Sequence, residues 1–204
     1  VEVAASFGRQ IPKEDANPIE LFFLSQVYPK EGKTLTHKNL KGGDPSEIVL
    51  LSNVCSAIKK SIWKKFSFNE EIIMSEDQEI AKRILEAGYK IVYEPTAAVY
   101  HSHNYNLKTL FRRYFDSGES ISTIVKTEIN PLKSIKYTIK LVSSTIKFIQ
   151  KTNTKRKLYW TIYSILYNTT KILAFICGTK SKHIPKPLLN KLSLTRHLLS
   201  TSTR

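Results

Sequence analysis

The chain has 204 residues, 41% of them hydrophobic and 24% charged, with 7 Gly and 8 Pro. That is enough for a real core, and it excludes collagenous and low-complexity architectures. Two cysteines far apart, Cys55 and Cys177, exclude a disulfide scaffold and a cysteine zinc cluster. The net charge of +15 is unevenly divided: residues 1–100 carry 13 Lys+Arg against 14 Asp+Glu, residues 101–204 carry 19 against 3, and no acid follows Glu128. Unless the basic half is only a solvated face, this asymmetry predicts two regions and an anionic partner for the second, nucleic acid or a membrane surface.

Val1–Phe7 reads as a strand, and a chain that starts in mid-strand without a signal peptide is expected to be part of a longer polypeptide. Gly8 to Pro12 follows as an extended exit, because Pro12 keeps Ile11 out of the helical region. Asn17 and Pro18 are suited to N-cap and first-turn positions of a helix running through Leu24. Gly32 to Gly43 reads as a polar loop. From about Asn53, the spacing of Val54, Ile58, Ile62, Trp63 and Phe66 predicts a helix. Ser75-Glu76-Asp77-Gln78 matches a capping box, followed by the stripe Ile80, Ala81, Ile84 and Leu85, with Gly88 as a left-handed C-cap. Lys90–Tyr93 and Ala97–Tyr100 read as two strands separated by Pro95. This strand–helix–strand alternation makes an α/β layer, assigned to residues 1–106.

Residues 107–204 read as a basic, mostly helical extension. Leu107 to about Val125 is amphipathic. Between Leu132 and Lys151, Ile135, Ile139, Val142, Ile146 and Ile149 take one side, and Lys133, Lys136, Lys140, Lys147 and Lys151 take nearly the opposite one. Leu158–Cys177 approaches the roughly 20 apolar residues of a membrane span, but its polar interruptions favour a buried or interfacial helix.

The chemistry concentrates in Glu76-Asp77 and in His101-Ser102-His103. First-turn acids stabilise a helix start and are themselves kept ionised there. Two histidines alternating along an extended segment point the same way, as a metal pair or as polar loop residues.

Taken together, Ser75-Glu76-Asp77-Gln78-Glu79-Ile80-Ala81-Lys82-Arg83, Ala87-Gly88-Tyr89-Lys90-Ile91-Val92-Tyr93-Glu94-Pro95 and Val99-Tyr100-His101-Ser102-His103 resemble the second half of the family 2 glycosyltransferase domain. Gly8-Arg9-Gln10-Ile11-Pro12 and the helix from about Asn53 are similar to that family too. Ile184–Ser193 is similar to the C-termini of its bacterial rhamnosyltransferase-like members. The resemblance implies the C-terminal, acceptor-side half of a GT-A fold, and inverting transfer of a sugar, rhamnose being one option, from a nucleotide-diphosphate donor to a saccharide or polyprenyl-linked acceptor in cell-surface polysaccharide synthesis. It makes Asp77 the general base beside Glu76 and His101 a ligand to Mg2+ or Mn2+. Arg9, Gln10, Asn53 and His103 become substrate-binding candidates. The family's Asp-x-Asp motif has no counterpart in this chain, so most of the donor site is expected to lie outside it. Little transfer is therefore expected of the chain alone.

A competing reading is a basic module without catalysis, bound to a membrane surface or to nucleic acid. Nucleic acid is disfavoured because no recognised motif is present and the basic helices carry a broad apolar face. That combination fits peripheral attachment to the inner face of a cell membrane from the cytoplasm. A two-carboxylate glycoside hydrolase ranks last, since Asp77 has no independent carboxylate partner in the sequence.

Overall fold

The computed structural model describes residues 2–40, 50–125 and 131–196. Val1, the end of the expected polar loop at Gly43, and the tail from 197 lie outside them. The chain divides into two compact units, Val1–His103 and Asn104–Arg204. The first is mixed α/β around a four-stranded sheet and the second is helical.

The sheet of the first unit runs in the order β2-β4-β1-β3, with β1 at Val3–Ile11, β2 at Lys33–Leu35, β3 at Ser56–Ile58 and β4 at Lys90–Tyr100. β1 and β4 are parallel, whereas β2 on β4 and β3 on β1 are antiparallel. Ala4, Ala5 and Phe7 of β1 are all buried, as expected of a strand covered on both faces. The exit expected at Gly8–Ile11 is instead the second half of this strand.

Three expectations are corrected by this topology. The helix expected from Asn53 is the short strand β3 followed by α2 (Lys60–Lys65). Ser56, Ala57 and Ile58 are recruited as a ladder on Phe7, Ser6 and Ala5, leaving Val54 and Trp63 exposed. Among the described residues, the polar loop after Gly32 contains β2 and a 3-10 turn at His37–Leu40, because Leu35 plugs the core at 1% exposure. Finally, β4 continues through Pro95. Its pairing with β1 passes from Gly8–Glu94 directly to Arg9–Ala98, so the proline sits in a bulge where no ladder hydrogen bond is required of it. Gly8 faces that bulge. A Cβ there would stand 2.1 Å from the Ala97 carbonyl oxygen, so only glycine lets the strands approach.

Helix α1 (Pro18–Val27) starts as the sequence predicts, with the Asn17 side-chain oxygen accepting from the Ile19 and Glu20 N–H groups at 3.0 Å each. Asn17→Ala is expected to cost about 1 kcal/mol in a denaturant titration. Helix α3 (Glu76–Glu86) buries Ile80, Ala81, Ile84 and Leu85 completely against the sheet. It ends at Gly88, whose φ of 86° allows the paired bonds from Gly88 N–H to Leu85 and from Tyr89 N–H to Ile84.

The second unit comprises α4 (Leu107–Val125), α5 (Pro131–Lys151), α6 (Lys157–Thr179) and α7 (Lys186–Leu192). α4 and α6 meet through reciprocal glycines. A Cβ on Gly118 would lie 2.0 Å from the Phe175 carbonyl oxygen, and one on Gly178 would lie 2.0 Å from that of Phe115. The segment after α7 returns to α4, where buried Asp116 accepts from Leu194 N–H at 3.0 Å and Thr195 N–H at 2.9 Å. Arg196 adds a two-pronged ion pair with Glu119. No helix among the described residues is long and apolar enough to cross a membrane.

Candidate active site

In open α/β sheets, ligands bind beyond the carboxyl ends of the parallel strands. In this sheet those ends are Arg9–Ile11 of β1 and Ala98–Tyr100 of β4, leading to His101 and His103. The loop from Leu50 to Cys55 and the start of α3 come to the same half of β1: Gln10 reaches Ser52, and Gly8 N–H donates to the Cys55 carbonyl.

The start of α3 departs from the expected capping box. Ser75 takes a left-handed conformation (φ 64°) and makes no side-chain cap bond. Gln78, the supposed reciprocal partner, spends its amide on the neighbouring loop. Its oxygen accepts from Leu50 N–H at 2.9 Å, and its NH2 donates to the Leu51 carbonyl. This side chain therefore mimics a strand neighbour and fixes the loop against the helix. The Asp77 carboxylate takes over part of the capping work, one oxygen accepting from Gln78 N–H at 2.8 Å.

The other Asp77 oxygen accepts from Asn53 N–H at 3.1 Å, while the Asn53 side chain donates to Glu76 at 2.9 Å. Asn53, Glu76 and Asp77 thus form one cluster. Burial pushes the Asp77 carboxyl above the ordinary range; Glu76 adds to this, and the bonds from Asn53 and Gln78 oppose it. The helix start was expected to favour the ionised form, but the loss of water outweighs it.

Behind the carboxylate lies a buried polar group that the sequence did not single out as a unit. Gln10 donates to the Tyr28 hydroxyl at 2.6 Å and to Ser52 Oγ at 2.9 Å. The Tyr28 phenol is pushed up to about 12, mainly by burial and also by the negative charge of Asp77. It therefore stays neutral and does not compete for the proton that Asp77 would carry. Tyr28 follows α1 with no periodic signal of its own, and Ser52 is polar in a loop, so only the fold reveals them. Arg9, one residue before Gln10, uses its Nε on the Tyr28 carbonyl at 3.3 Å.

His101 and His103 pack edge to face, with ring centroids 4.5 Å apart. Their segment is tied to α1 by His103 N–H donating to buried Glu20 at 3.1 Å, and Ser102 accepts from Lys13 N–H at 3.1 Å. The bonds that unite Asn53, Glu76 and Asp77 do not run through this pair. Among the described residues no three of His, Cys, Asp and Glu converge to hold a metal ion. A two-imidazole pair falls short of a shell for Mg2+ or Mn2+, and Mg2+ in particular demands six ligands and prefers oxygen.

Over 186 residues, the chain is 30% identical to the O-antigen chain rhamnosyltransferase WbaN of Salmonella anatum, covering 90% of this chain and 57% of that protein. That relative is, by its name, a glycosyltransferase. The O-antigen chain rhamnosyltransferase RfbN of Salmonella typhimurium is 28% identical over the same extent. The chain thus spans just over half the length of these curated relatives. No family model matches it, and no solved structure does either.

Proposed function

We propose that this chain supplies the acceptor-side half of a GT-A glycosyltransferase that moves rhamnose from a nucleotide-diphosphate donor to a saccharide, free or polyprenyl-linked, in O-antigen synthesis on the cytoplasmic side. The observation that carries the reading is the half-buried Asp77 carboxylate, held by Asn53 N–H and Gln78 N–H beside the neutral Gln10–Tyr28–Ser52 group. The likeness to two rhamnosyltransferases supplies the reaction class.

A sugar hydroxyl is a poor nucleophile until its proton is withdrawn. In the proposed step the acceptor oxygen bonds to the donor's anomeric carbon while its proton passes to Asp77, and the bond to the diphosphate breaks with inversion. General-base assistance of this kind contributes about 10²–10⁴-fold. Backbone N–H groups on the carboxylate fix its direction, which serves positioning as well as charge. Glu76 orients Asn53 and hence the loop that holds the base. Arg9, Gln10, Asn53 and His103 are assigned to the acceptor side. His101 could lend one imidazole to a divalent ion whose other ligands come from outside the described residues, with the leaving diphosphate as the source.

The test titrates short rhamnose-accepting oligosaccharides into the isotope-labelled chain. Saturable NMR shifts are expected at Gln10, Asn53 and Asp77. Shifts confined to residues beyond 106, or none with any saccharide, would remove the acceptor-side assignment.

A further inference from the structure

Helix α6 turns an uncharged apolar row outward. Leu158, Tyr159, Ile162, Ile165, Leu166 and Leu173 are each 45–74% exposed. Thr169 shares the row and is also exposed. No charged side chain interrupts it: the one lysine in the stretch, Lys171, lies about 120–180° round the helix and rests on the Tyr114 ring at 4.6 Å. The row runs roughly 22 Å at 1.5 Å per residue. Contiguous apolar surface of this kind, left open in a folded chain, marks an interaction face.

Its surroundings identify the partner. Residues 129–204 hold 15 Lys+Arg and no Asp or Glu. Lys155 and Arg156 stand exposed at one end of α6, and Lys180 and Lys182 at the other. α5, which packs on α6, exposes Lys133, Lys136, Lys140, Lys147 and Lys151. An apolar row bounded by cations and free of acids complements a surface that is apolar within and anionic outside.

We propose that the outward face of α6 docks on an anionic lipid bilayer, the helix lying in the plane of the headgroups with its apolar row beneath them. The lysines reach up to lipid phosphates, each adding about 1 kcal/mol near the surface. The contact thus falls on α6, with the lysine stripe of α5 on the helix packed beside it. The inference rests on the second unit alone and stands whether or not Asp77 is a base.

Co-sedimentation with vesicles containing about 30 mol% phosphatidylglycerol, at low salt and at about 0.5 M, tests it. The chain is expected to pellet with these vesicles, more weakly at high salt, and to leave pure phosphatidylcholine largely unoccupied. Ile162→Asp with Leu166→Asp should weaken binding by about tenfold or more. Because both positions are exposed, the melting temperature should not change. Thr169→Asp, which places a charge in the row without removing an apolar group, should weaken binding in the same direction. Undiminished vesicle binding by these variants would overturn the proposal, as would no binding by the native chain. A concentration-dependent dimer that the same substitutions dissolve would give the face to a second copy. Tighter retention on duplex DNA than on vesicles would give the basic unit to nucleic acid.

Discussion

Replacing Asp77 by asparagine, in an active polypeptide that carries this chain, is expected to lower turnover by about 10²–10⁴-fold while leaving the melting temperature unchanged or slightly raised. Asparagine still offers an oxygen to Asn53 N–H or Gln78 N–H, so the loop and the helix start keep their contact. What it lacks is the ability to take a proton. The stability half of the prediction follows from the direction of the shift. Burial raises the Asp77 pKa, so the folded state holds that proton more tightly than the unfolded chain does. Its contribution to stability is full below the ordinary carboxyl pKa and is lost as pH rises through the raised one. At neutral pH the ionised group therefore strains the fold, and a neutral amide relieves it. The acid limb of the rate profile should correspondingly lie above the usual carboxylate range. Initial rates and thermal melts on one pair of proteins decide the matter. Turnover that survives the substitution would remove Asp77 as the base, and a lower melting temperature matched by lost activity would make it only a helix-start residue.

Valine at Gly118 or at Gly178 is expected to destabilise the helical unit by about 1–3 kcal/mol. Each Cβ would have to occupy space 2.0 Å from a backbone carbonyl oxygen of the opposite helix, and backbone cannot step aside as a flexible side chain would. The two substitutions should not add. Once either valine has parted α4 from α6, the second meets a gap already opened. Denaturant midpoints for the single and double variants check this; fully additive losses would mean that the two contacts are independent and that the helices do not share one interface.

Helices were legible in the sequence wherever a long apolar period fixed one face. The stripe of α3, the spans of α4 and α5, the Asn17 cap and the Gly88 stop are all found where spacing put them. The three-residue strands were not legible, since Lys33–Leu35 and Ser56–Ile58 become strands only through distant partners in β4 and β1. Pro95 misled because the bulge that accommodates it is a property of two strands together. At the site, Glu76 and Asp77 stand out as acids at a helix start, and Asn53 joins them. Gln78 was visible but misread: the capping pattern assigns it to its own helix, whereas its amide is taken by the Leu50–Leu51 backbone. Tyr28 and Ser52 gain meaning only once α1 and the loop are brought onto Gln10.

The return of Leu194 and Thr195 to α4 bears on how the second unit comes into being. Asp116 waits for an amide 78 positions later, at Leu194. At about 5–20 residues per second, Asp116 is made about 4–16 s before that amide, with a carboxylate that is safe only in water. During that interval α4 cannot seat itself permanently, because burying Asp116 without Leu194 and Thr195 would strand a charge. Leu194 and Thr195, made well after α4, are thus the residues that license closure. A ribosome stalling before Leu194 would leave α4 open to proteases and chaperones, and the order of synthesis acts as a timer on assembly of the helical unit.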